Sequence, residues 1–172
     1  MKTDTPARAI CTGGILTALI FLLQSAPVWL PGAGLFLSPF ATLPAALAAA
    51  LSIPLGTVVY IAAAFLLLLF SPQEAAIFLL ATGLVGLTTG IALKQETPNR
   101  VLIPAAALFF GLLALTRLAL IPVFGGATPR SVWVELLLLI PFSFLYAVLW
   151  MSITRHAVFL LDRIPIRHHS TE

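Results

Sequence analysis

Two charged residues stand well inside apolar runs: Arg117 in LALTRLALIP and Glu135 in SVWVELLLLIP. A charge within a membrane span costs about 3 kcal/mol on insertion scales, so such residues pair with one another or face a watery cavity. Arg117 lies five residues before Pro122 and Glu135 six after Pro129. At about 1.5 Å per residue, each is about 8 to 9 Å from the outer end of its helix, so their depths match. Two readings stay open. One is an ion pair that clamps two neighbouring helices, or an Arg117 that snorkels to the headgroups. The other is a pocket open to the outside, where Arg117 binds a carboxylate or phosphate. Gln24, Trp29 and Trp133 fall at the same outer level and complete the candidate substrate-binding set. Trp29 and Trp133, with Phe36, Phe70 and Phe124, also suit the aromatic belt of a membrane interface. Tyr60 is deeper, where its hydroxyl can bond a backbone carbonyl.

The rest of the chain carries little other chemistry. It has no phosphate-loop motif, no HExxH, and no Ser, His and Asp placed together inside an apolar run, so no enzyme, cofactor or metal site is expected. The single cysteine, Cys11, reads as a small filler in the first helix. His168 and His169 read as a solvated tail.

These residues must be positioned by helices in lipid. The chain has 172 residues, 60% hydrophobic and 9% charged, with a mean hydropathy of +1.10; a soluble domain is about 25% charged. About 20 apolar residues make one span, so the expected architecture is an all-α integral membrane bundle of six transmembrane helices. Proline, glycine and polar breaks put these at about 9–26, 35–52, 54–70, 74–93, 101–121 and 130–153, with 154–172 as a cytoplasmic interfacial tail. The first run, ending at Pro27, is read as a helix and not as a cleaved signal. Ser38-Pro39 implies either a capped start or a bend in the second helix. Ser71-Pro72-Gln73-Glu74 has the pattern of a capping box.

Of the nine basic residues, Lys2, Arg8, Lys94, Arg100, Arg155, Arg163 and Arg167 fall on one side of such a bundle, against Arg130 on the other. That asymmetry predicts cytoplasmic termini in a bacterial inner membrane. The net charge of +3 therefore reflects topology and not nucleic-acid binding. Small residues recur every three or four positions: Ala9, Gly13 and Thr17, or Gly14 and Ala18; Ala41, Ala45 and Ala49; Gly83, Gly86 and Gly90. Such faces let helix backbones approach closely, within the bundle or against a partner.

Short helices, the broken loop PGAG after helix one, its small-residue face and an alanine-rich helix two resemble the membrane-embedded S components of energy-coupling-factor transporters. More closely, PGAGLFLSPFATLP followed by FLLATGLVGLTTGIALK resembles the YybS-like family of bacterial membrane proteins. The resemblance implies capture of a small solute from the outside and uptake driven by a separate energising module. It also implies docking of a transmembrane coupling protein, with its ATPases, at Gly14 and Ala18, or at Ala9 and Gly13. Residues Val28 to Gly34 would act as a lid. LLQSAPVWLPG is also similar to the MreD family, which implies a membrane scaffold with no small-molecule ligand.

Overall fold

The computed structural model describes residues 6–95, 100–117 and 132–163. The outer loop after residue 117 and the tail beyond 163, with Phe124, Arg130, His168 and His169, lie outside the described residues. Among those described, the chain is helical throughout and has no strand. Its helices are α1 (Pro6–Trp29), α2 (Ala33–Leu37), α3 (Thr42–Leu51), α4 (Ile53–Phe70), α5 (Pro72–Ile77), α6 (Gly83–Lys94), α7 (Leu102–Arg117) and α8 (Val132–Asp162). A 3₁₀ turn, Ser38–Ala41, joins α2 to α3, and a π turn, Phe78–Thr82, joins α5 to α6.

Taken through those turns, five helices are long and apolar enough to cross a membrane: Pro6–Trp29, Ala33–Leu51, Ile53–Phe70, Pro72–Lys94 and Trp133–Leu161. Leu102–Arg117 is apolar but shorter; residues 118–121 of the fifth expected helix lie outside the described set. Leucine, isoleucine and phenylalanine cover the outside of the bundle, the surface that hydrocarbon would solvate. The molecule has the composition and helix lengths of a multi-pass membrane protein.

The breaks follow local chemistry. At Ser38-Pro39 the span runs on through a 3₁₀ turn, with the proline near its start; the amide of Ser38 donates to Gly34 O at the end of α2, and its hydroxyl caps no helix start. Pro27 lies inside α1, two residues before its end. There a missing N–H removes only one bond of the last turn, and the amide of Leu30 still donates to Ala26 O at 2.8 Å. Ser52 and Ser71 cap α4 and α5, their hydroxyls accepting from the amides of Leu55 and Glu74 at 3.1 and 3.4 Å.

Helix α3 is the hub, packed against α1, α4, α6 and α8. Its alanines Ala45, Ala46, Ala48 and Ala49 are buried, and α6 presents Gly86 and Gly90 to them. A Cβ at Gly86 would lie 2.6 Å from Thr42 O, and one at Gly90 would overlap Ala46 O. The expected small-residue faces of these two helices thus meet each other. On the far side, α7 presses Gly111 against the π turn so closely that a Cβ there would overlap Leu80 O. Above Gly14 of α1, by contrast, there is open space.

Overfilling a packed contact costs about 1–3 kcal/mol or more. Gly111→Ala and Gly90→Ala should therefore lower the thermal unfolding midpoint in detergent, while Gly14→Ala should leave it unchanged. Equal midpoints for all three would contradict the packing described.

Candidate functional site

Arg117 occupies the last position of α7 and Glu135 the first turn of α8. The structure joins them: Arg117 donates from Nη2 to Glu135 Oε2 at 2.8 Å. The second carboxylate oxygen, Oε1, accepts from Thr116 Oγ1 at 2.8 Å. Glu135 is thus held by two consecutive residues of α7, and its side chain is 7% exposed against 52% for Arg117. A guanidinium carries five N–H donors in a planar fork. One is committed to Glu135, and half of the side chain remains accessible. Placed at the last turn of α7, the cation also complements that helix's carbonyl end.

Gln24 belongs to a different network. It is fully buried, donates from Nε2 to Glu74 Oε2 at 2.9 Å, and accepts at Oε1 from Thr82 Oγ1 at 2.8 Å. Eight residues at about 100° each would leave Thr82 about 80° round an ideal helix from Glu74. The extra residue of the π turn takes up that excess and brings both side chains to Gln24. The widened turn also offers its carbonyls sideways: Leu79 O accepts from Tyr60 Oη at 2.7 Å, the kind of bond expected of Tyr60. π turns of this kind occur frequently at functional sites.

The remaining candidates lie elsewhere. Trp29 is exposed and stacks on Phe70 with ring centroids 5.3 Å apart, an arrangement that fits an interfacial aromatic. Trp133 is also exposed. Of the five substrate-binding candidates, the structure therefore brings together Arg117 and Glu135. Gln24 anchors a second cluster, which shares no hydrogen bond with the first among the described residues. The segment between α1 and α2 is a tight turn in which Gly34 N donates to Leu30 O at 2.7 Å.

The docking candidates Ala9, Gly13, Gly14 and Ala18 line one side of an apolar groove of about 660 Å³, with α4 forming the other. Cys11, nearby on α1, is exposed.

Sequence reasoning missed Glu74 and Thr82 as partners of Gln24. Glu74 was legible only as the acid of a capping box, yet Ser71 N donates to Leu67 O and the Glu74 carboxylate turns inward to Gln24. The available signal was Gln24 itself, an amide in an apolar span that must find partners inside the protein.

No family model, curated protein or solved structure matches this chain.

A buried amide that satisfies two others is expensive to remove, because each orphaned group costs about 1–3 kcal/mol. Gln24→Leu, nearly isosteric, should lower the unfolding midpoint clearly, and Thr82→Val less. A Gln24→Leu protein as stable as the parent would show that the network contributes nothing.

Proposed function

We propose that this chain is a six-span protein of the bacterial inner membrane, with cytoplasmic termini and an S-component-like bundle. It captures a small anionic solute from the outer face for uptake with a separate energising module. The observation that carries the reading is the half-open Arg117. Glu135 and Thr116 orient the guanidinium from one side, while its exposed half keeps N–H donors for a second, bidentate partner such as a carboxylate or phosphate. Because the pair is charge-balanced, the solute would meet an oriented donor fork and not an unscreened cation.

The six-span count adds Leu102–Arg117 to the five longer helices, and the orientation rests on the basic residues at the ends of α6 and α8. The groove between α1 and α4 supports a protein partner. Its small side chains and the open space over Gly14 suit the close approach of another transmembrane helix, such as that of a coupling protein served by ATPases. The same groove favours a second reading, an MreD-like scaffold that binds protein and no small ligand.

Native mass spectrometry of the protein purified from its own membranes separates the two. Solute capture predicts a retained small anion whose occupancy falls about 10- to 100-fold in Arg117→Gln, the worth of a charged hydrogen bond. A stable protein partner with no small ligand, unaffected by Arg117→Gln, would favour the scaffold and overturn capture.

A further inference from the structure

At the end of the bundle opposite Arg117, three basic side chains from three elements line one pocket of about 250 Å³: Lys94, Arg100 and Arg155, with Ala50, Leu93 and Val158 as its apolar wall. Lys94 ends α6, Arg100 lies in the turn that leads into α7, and Arg155 lies on α8. Arg155 is 20 residues beyond Glu135, about 30 Å along the helix, which is the thickness of a bilayer's hydrocarbon core. With the spans proposed above, the pocket falls near the membrane boundary opposite Arg117.

The local charge favours an anion. The carbonyl ends of α3 and α6 each contribute about −0.5 charge and the amide end of α7 about +0.5. Lys94, Arg100 and Arg155 bring three cationic side chains to this one concavity. Lys94 already serves one of those carbonyl ends, donating from Nζ to Leu51 O at 3.2 Å, so its ammonium is held beside the pocket. Arg155 also borders a second concavity with Ser152, His156 and Phe159, and is exposed. The pocket is smaller than the roughly 300 Å³ at which sites for drug-sized ligands begin, which suits one headgroup-sized anion. Basic pockets between helices at a membrane boundary are where anionic headgroups bind.

We infer that Lys94, Arg100 and Arg155 form a binding site for a phosphate group, carried either by an anionic phospholipid or by a soluble phosphate. The site stands on its own geometry; only its place near the membrane boundary and its assignment to the inner leaflet rest on the topology proposed above.

The test reconstitutes the full chain in nanodiscs of equal phosphatidylglycerol and phosphatidylcholine, symmetric in both leaflets so that orientation does not enter, and counts retained lipids by native mass spectrometry. The site predicts preferential retention of phosphatidylglycerol, falling about fivefold for each charge removed in Arg155→Gln and in the triple variant with Lys94→Gln and Arg100→Gln. Arg163→Gln is the control, since that guanidinium lies 4.3 Å over the Phe159 ring outside the pocket; it should retain the parent's preference. A parallel arm adds inorganic phosphate to lipid-free protein in detergent. A rise in the unfolding midpoint that Arg155→Gln abolishes, without lipid preference, assigns the site to soluble phosphate. Because Arg155 is exposed, its single replacement keeps the test valid where the triple variant fails to fold. No response in either arm, or an equal loss in Arg163→Gln, overturns the proposal.

Discussion

Lipid tails are as apolar as leucine, so no hydrophobic gain draws one spanning helix to another. What remains is close packing, and in this protein it is concentrated where α3 meets α6. The alanines of one helix and the glycines of the other bring backbone to backbone, with Ala46 O where a Cβ of Gly90 would stand. Dispersion falls steeply with distance, and this approach maximises it. With α3 also touching α1, α4 and α8, that seam sits at the centre of the bundle's packing.

The same solvent explains why the buried amide and carboxylates occur in closed sets. Without water, a buried amide or carboxylate must find its partners in the protein. Gln24 satisfies Glu74 and Thr82 together, Glu135 is satisfied by Thr116 and Arg117, and Thr42 shares a hydrogen bond with Tyr146 at 3.2 Å. Each set ties two helices together and fixes their rotation, which apolar packing alone leaves loosely defined. Arg117 departs from this closure, with one bond made and half its side chain open, and so do the buried Thr89 Oγ1, Ser143 Oγ, Trp150 Nε1 and Thr154 Oγ1, which have no hydrogen-bond partner among the described residues.

Much of the architecture was legible from proline, glycine and serine, because each acts through local backbone geometry: Ser71 caps α5, Pro39 marks the 3₁₀ turn into α3, and the small-residue faces of α3 and α6 find each other. The pairing of Arg117 with Glu135 was legible as one of two readings, since equal depth on consecutive helices leaves few other partners. The π turn and the Gln24 network were not. A helix that is apolar on all sides has no periodic stripe to mark which face turns inward. The residues FLLAT of the π turn are as apolar as their neighbours, and nothing in them announces a wider turn. Glu74 was misleading for a related reason: an acid three after a serine satisfies the rule for a cap whether or not its carboxylate turns back.

The π turn has a further consequence for how this span can change. It works as a phase shifter: the residues before it are set in rotation by Gln24, those after it by α3. Were Phe78–Thr82 to relax into an ordinary helix at unchanged length, Gly86 and Gly90 would swing by about 100° relative to Glu74. One half of the span would then lose its partner whichever half kept its own. Deleting one residue between Phe78 and Thr82 would remove the extra residue and the wide turn together, and an ordinary helix would then hold both halves in their present phase. The π turn is thus the form that one surplus residue takes in a span held at both ends.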